Sequence, residues 1–119
     1  MDSEIDVSLA RLRSFRTWKD NWDGDGAPAP SSELIDTAIE LFALLVNTRV
    51  KIRVHVGGDG RPVFFLRDVP ANAEVAVEAA DEISFSFDTK DKVIEEFCIP
   101  FNGKHLPEPL RKAIAIIQG

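Results

Sequence analysis

Val50-Lys51-Ile52-Arg53-Val54-His55-Val56-Gly57-Gly58-Asp59-Gly60-Arg61-Pro62-Val63-Phe64-Phe65-Leu66-Arg67 is the stretch that decides the fold. Val50, Ile52, Val54 and Val56 alternate with Lys51, Arg53 and His55, the period-two signature of a half-buried strand. Gly57-Gly58-Asp59-Gly60 is the clearest hairpin turn in the chain. Arg61 to Arg67 returns as the second strand, with Pro62 tolerated at its start because proline donates no ladder bond there. Phe64 and Leu66 point opposite to Val63 and Phe65, so both faces of this strand are apolar. One face packs on the core, and the other is a second packing surface.

Downstream the alternation continues. Ala73 to Ala80 sets Val75 and Val77 against Glu74 and Glu78, and Ala80-Asp81 interrupts the strand. Glu82 to Phe87 sends Ile83, Phe85 and Phe87 inward, with Ser84 and Ser86 outward as plain strand surface. After the turn Asp88 to Asp91, Val93 to Phe101 is the last strand. Its residues Val93, Glu95, Phe97, Ile99 and Phe101 share one parity. Cys98 reads as a small core hydrophobe. Together these strands form a meander of four or five antiparallel strands.

Upstream the period is three to four. Residues 3–18 place Ile5, Leu9, Leu12, Phe15 and Trp18 on one helical face, with Ser3 as the expected cap. Arg11, Arg13, Arg16 and Lys19 read as a solvated basic strip. A second helix over 32–47 starts at Ser31 or Ser32. Leu34, Ile35, Ala38, Ile39, Leu41, Phe42, Leu45 and Val46 cover most of its circumference, which marks the core helix. A short helix over 108–118, with Pro109 in its first turn, sets Leu110, Ile114 and Ile117 on one face with Ala113 beside them; that face either docks on the sheet or serves an oligomer or partner contact. The expected architecture is α+β: two N-terminal helices on the meander, with a short C-terminal helix. At 119 residues the chain reads as a single domain, 1–119.

Composition bounds the function. The net charge of -6 disfavours direct nucleic-acid binding, which needs a basic footprint, and suits a basic protein partner. One cysteine allows no internal disulfide and no thiolate metal cluster. The first 20 residues mix charges with apolar groups, so no signal peptide is expected, and no stretch reaches a membrane span. A cytoplasmic location, with no membrane contact, follows as the expectation.

Between the first two helices lies Asp20-Asn21-Trp22-Asp23-Gly24-Asp25-Gly26-Ala27, then Pro28-Ala29-Pro30. Two Asp-Gly dipeptides make it a turn-rich loop. Trp22 is expected to fold back into the core with its indole N–H on a backbone carbonyl. Asp20, Asp23 and Asp25 raise the question of calcium, but the twelfth position counted from Asp20 is Ser31 rather than the closing glutamate. No Lys or Ser/Thr follows Gly26 in the order of a phosphate loop. The segment reads as a structural corner held by Trp22, Gly24, Gly26 and Pro30.

No motif signals catalysis. His55 and His105 have no acid or nucleophile at local spacing; a Cys98–His pair, or a carboxylate pair among Asp23, Asp25, Glu74, Glu78, Glu82 and Glu95, is left to the fold. There is no glycine-flanked nucleophile and no tyrosine. We therefore expect no enzyme activity, no cofactor and no metal. What remains is binding. Asp20, Asp23, Asp25, Glu74, Glu78 and Glu95 are the candidate residues of an acidic protein-binding face. The alternatives are a structural homodimer, joined by an apolar patch, a sheet edge or the terminal helix, and an acidic phosphate mimic of the anti-restriction or anti-CRISPR kind.

The loop also carries a resemblance. Trp22, Asp23, Gly24, Gly26, Ala27 and Pro30, the helix from Ser32 and the turn Asp59-Gly60 resemble small, largely uncharacterised bacterial and phage-associated proteins. These have a Trp-Asp-Gly-x-Gly-Ala loop ahead of an antiparallel sheet. The likeness covers about residues 15–97. The chain departs from the pattern at Phe64-Phe65, where the group has a Trp, and lacks a proline-framed strand before the turn. The resemblance implies no catalytic residue; it implies an antitoxin-like, immunity-like or inhibitor role.

Overall fold

A computed structural model describes residues 3–118, with side chains from Ile5 to Gln118. Helix α1 (Ser3–Ser14) passes into a 3-10 turn at Phe15–Thr17, and Trp18 leaves it in extended conformation. The helix therefore ends before the expected boundary at 18. Thr17 Oγ1 donates to the Ser14 carbonyl and the Trp18 N–H to the Phe15 carbonyl, which tightens the last turn. The expected cap at Ser3 lies outside the described side chains. Helix α2 (Ser32–Val46) starts at Ser31, whose side chain accepts the Leu34 N–H at 3.1 Å.

Five strands follow: β1 (Lys51–Val56), β2 (Pro62–Arg67), β3 (Ala71–Ala79), β4 (Glu82–Thr89) and β5 (Val93–Pro100). They pair antiparallel in sequence order, β1-β2-β3-β4-β5. Helix α3 (Glu108–Gln118) closes the chain. The α+β meander with its N-terminal helices and C-terminal helix is thus as the periodicity predicts.

The register explains which face is buried. Val54 pairs with Phe64, Phe64 with Val75, and Val75 with Phe85. Cross-strand partners share a face, so these four, all buried, define the inner one. Helix α1 packs on β1, α2 on β2 and β3, and α3 on β4. Leu12, Phe15, Ile35, Leu41, Leu45, Leu110 and Ile114 complete one core between helices and sheet. Two long-range bonds fix the helices in place. Thr37 Oγ1 donates to the Ala80 carbonyl at 2.7 Å, tying α2 to the β3–β4 turn. Gln118 Nε2 donates to the Thr48 carbonyl at 2.6 Å, tying α3 to the α2–β1 connection.

Strand β5 departs from the expected alternation. Ile83 pairs with Ile99, but Phe85 pairs with Glu96, so Phe97 and Cys98 together face Ser84 in a bulge. Cys98 takes φ +54°, unusual for a residue with a Cβ. The parity therefore flips across the bulge. Ile94, opposite Phe87, and Ile99, opposite Ile83, share the inner face, while Phe97 is 67% exposed. Two expectations are corrected by this. Cys98 is exposed rather than in the core. Ser84 is buried rather than plain surface, and its Oγ accepts the Cys98 N–H at 3.0 Å.

The basic strip of the first helix is also more than solvated surface. Arg11 Nε donates to the Val54 carbonyl at 2.9 Å, with its guanidinium 5.4 Å from the Phe15 ring centre. Arg16 bonds Ser32 Oγ at 2.7 Å and forms an ion pair with Asp36, joining the end of α1 to the start of α2.

Candidate functional site

The outer face of the sheet carries the side chains of the opposite parity, and the helices described above pack on the other side. Its rows follow from the register. One row runs Lys51, Arg67, Asn72, Asp88, Val93. The next runs Arg53, Phe65, Glu74, Ser86, Glu95. The third runs His55, Val63, Ala76, Ser84 and the bulge. The β1–β2 half is therefore basic and aromatic, and the β3–β5 half acidic. No sequence window brings Arg53 beside Glu74, because only strand pairing makes them near neighbours across Phe65.

Near the centre of this face lies a shallow depression of about 430 Å³, lined by Phe65, Asn72, Glu74, Ser86 and Asp88 among others. Phe65 is 38% exposed, and the His55 ring meets it edge-on at 5.0 Å. Burial, then Arg53, then Arg11 push the His55 pKa below its ordinary value, so at neutral pH this imidazole is uncharged. Ser86 Oγ bonds Glu95 Oε2 at 3.3 Å.

The six candidate acids fall in two places. Glu74 and Glu95 stand on the outer face. Glu78 stands further along β3 and forms an ion pair with Arg61, which also approaches Asp59 at 3.6 Å. The other three lie in the corner between α1 and α2. There Asp20 Oδ1 accepts the Ala29 N–H at 2.8 Å. Asp23 Oδ1 accepts the N–H groups of Asp25 at 2.9 Å and Ala27 at 3.1 Å. These two backbone donors hold the Asp23 carboxyl below its ordinary pKa. Asp25 is exposed. Two of the loop carboxylates thus shape their own backbone, as Asx turns do.

The structural-loop residues form one unit. Gly24 and Gly26 take φ +80° and +83°, and Pro30 is buried. Asn21 Oδ1 accepts the Gly26 N–H at 2.7 Å, and the Asn21 N–H donates to the Ala27 carbonyl at 2.7 Å. Trp22 Nε1 donates to the Pro28 carbonyl at 2.8 Å, the backbone bond that an indole folded onto its own loop needs. Its ring lies over Trp18, with centres 4.7 Å apart, and Trp18 in turn meets Phe15 at 4.7 Å. Trp22 is half-buried, so the expected plug into the core is corrected: Trp18 reaches the core, and Trp22 covers Trp18.

Both sheet edges are obstructed. Arg11 occupies the outward Val54 carbonyl of β1. The bulge at Phe97-Cys98 interrupts the outer ladder of β5, and the exposed carboxylates Glu95 and Glu96 charge that edge. These are two of the devices that block strand addition. Cys98 and His55 lie on opposite edge strands, about 19 Å apart at the usual strand spacing. Partial desolvation and the carboxylates of Glu82 and Glu78 hold the Cys98 thiol above its ordinary pKa, so it is protonated at neutral pH. Among the described residues, no group of three His, Cys, Asp or Glu is arranged to hold a metal ion. No helix among them is long and apolar enough to cross a membrane.

Comparison with known protein families, curated proteins and solved structures gives no match.

Proposed function

We propose that this chain is a non-enzymatic protein-binding domain that engages a basic partner through its outer sheet face. The observation that carries this reading is the depression flanked by the carboxylates of Glu74 and Asp88 beside the exposed Phe65 ring. A lysine or arginine side chain suits such a place. Its cation meets two carboxylates, and its stem or guanidinium lies on an aromatic face. The shallow shape favours a side chain presented from a surface over an enclosed small molecule.

The mixed charge also bears on the choice among binding roles. A phosphate mimic needs acids spread along a face, whereas here Arg53 stands beside Phe65 in the same row as Glu74. That alternation favours a protein surface with its own charge pattern, since unlike juxtapositions select partners and like ones reject them. The antitoxin-like, immunity-like or inhibitor role implied by the Trp22 loop is compatible with such a face and is part of the proposal.

The test compares two immobilised baits in the same lysate: the unmodified protein, and a Glu74→Lys, Asp88→Lys double variant shown by circular dichroism to be folded. The reading expects a basic protein retained by the first and lost from the second. Identical protein sets on both baits would refute it.

A further inference from the structure

We infer that the outer sheet face also closes on a second copy of this chain, forming a salt-sensitive two-fold dimer that competes with the basic partner. The charge split of this face is self-complementary under one two-fold axis. Two sheets stacked face to face by a two-fold axis parallel to the strands reverse the strand order, so β1 of one copy lies over β5 of the other. With the axis at β3, the central strand of five, residues of one row meet residues of the same row. Arg53 then faces the second copy's Glu95, and the pair occurs twice because the interface is isologous. The basic half of each copy covers the acidic half of the other. The alternative axis, across the strands, sets β1 over β1 and like charge over like, which is penalised. Of the two aligned face-to-face arrangements, only the first is therefore electrostatically favourable. The usual angle of about 30° between aligned sheets makes this a matching of halves rather than of atoms.

The apolar content fits the same arrangement. Val63, Phe65 and Ala76 occupy the middle of the face. Phe97 at 67% and Val93 at 55% exposure flank it on β5. With each edge hindered, the open face is the broader surface for association through the sheet. Its size sets the strength. Five strands at about 4.8 Å spacing, with strands of about 20–30 Å, give roughly 500 Å² per copy. Stable complexes bury about 800 Å² per partner, so the dimer is weak, in the micromolar range or above. One element opposes it: Glu74 lies on the axis and meets its own copy.

The competition rests on the proposed partner, the dimer itself does not, and the two separate experimentally. The measurement is sedimentation equilibrium of the full chain from about 10 to 500 μM, in 50 mM and 500 mM salt. Dimer is expected at low salt, weakened about tenfold or more at high salt. Arg53→Glu and Glu95→Arg, each confirmed folded by its thermal melt, are each expected to weaken the dimer at least tenfold. The combined Arg53→Glu, Glu95→Arg chain is expected to regain it, because the charges are merely exchanged. Glu74→Gln is expected to tighten the dimer while weakening capture of a basic partner, which no general loss of structure would do. A monomer at every concentration in 50 mM salt overturns the inference. So does a dimer indifferent to salt and to both single reversals, or a charge exchange that fails to restore what the single reversals remove.

Discussion

The carbonyl oxygen of Pro28 lies 2.9 Å from where a Cβ would stand on Gly60. The corner between the two N-terminal helices is thus seated directly on the β1–β2 hairpin, and Gly60, at φ +81°, is the residue that permits it. A side chain there meets two obstacles, an unfavourable backbone region and a backbone atom that cannot yield without moving the loop. Gly60→Ala is expected to destabilise by about 2–3 kcal/mol. That lowers the melting temperature by roughly 10 °C, read by calorimetry. Gly58→Ala serves as the control, with nothing within 4 Å of its added Cβ.

Trp22 is half-buried over Trp18 and bonded to the same Pro28 carbonyl. Its removal leaves no enclosed cavity, so Trp22→Ala is expected to cost about 1–2 kcal/mol, below the ~3–5 kcal/mol of a fully buried aromatic. Trp22→Phe keeps the ring and loses the hydrogen bond, and should cost about 1 kcal/mol. Urea midpoints give both values. A loss as large as that of Phe15→Ala would place Trp22 functionally in the core.

Ser84 is buried, and its Oγ receives the Cys98 N–H at the bulge. Ser84→Ala removes the acceptor and leaves that amide unpaired, at an expected cost of about 1–2 kcal/mol. Amide hydrogen exchange at Cys98 should accelerate far more than at Phe87 in the same sheet. Equal acceleration at both would mean that the bond does not hold the bulge.

Asp23 and His55 each make stability fall as the solution is acidified. The Asp23 carboxyl is held low by the Asp25 and Ala27 N–H groups. Its contribution is therefore present above the unfolded value near 3.8 and is lost as pH falls through the lower folded value. Carboxyl NMR should show its midpoint below the ordinary aspartate value near 3.8. His55 is pushed below 6.5 by burial, Arg53 and Arg11. The unfolded chain there binds the extra proton, so the His55 contribution is full above pH 6.5 and declines as pH falls through the folded value. Arg53→Ala should raise the His55 midpoint, measurable by the ring proton shifts.

Local patterns were enough for much of the fold. The 3.6-residue stripe of Ile35, Leu41 and Leu45, the alternation of Ile52 and Val54, and the glycine turn at 57–60 each state their element within a few residues. What escaped that reading depends on partners distant in sequence. Arg11 finds its acceptor 43 residues away at Val54. The bulge exists only because Ile99 must meet Ile83 while Ile94 meets Phe87. No local signal marks Cys98 as left-handed or Ser84 as the acceptor beneath it. The candidate site was half legible. Glu74 and Glu95 could be placed outward by parity, but their division from Lys51 and Arg53 is a property of strand order. The Asp-Gly dipeptides mark Asp23 as an acceptor within its own turn, whereas the bond from the Ala29 N–H to Asp20 spans nine residues and has no such local signal.

The bond from Arg11 to the Val54 carbonyl also carries a consequence in time. The two residues belong to segments synthesised well apart, and the hairpin that contains Val54 can pair with β2 on its own through local contacts. Until α1 arrives, the outward amides and carbonyls of β1 are an open template for another nascent chain. Docking of the Arg11 guanidinium takes up one outward acceptor of that template. Seating of the N-terminal helix therefore shortens the interval in which this edge is open to another chain.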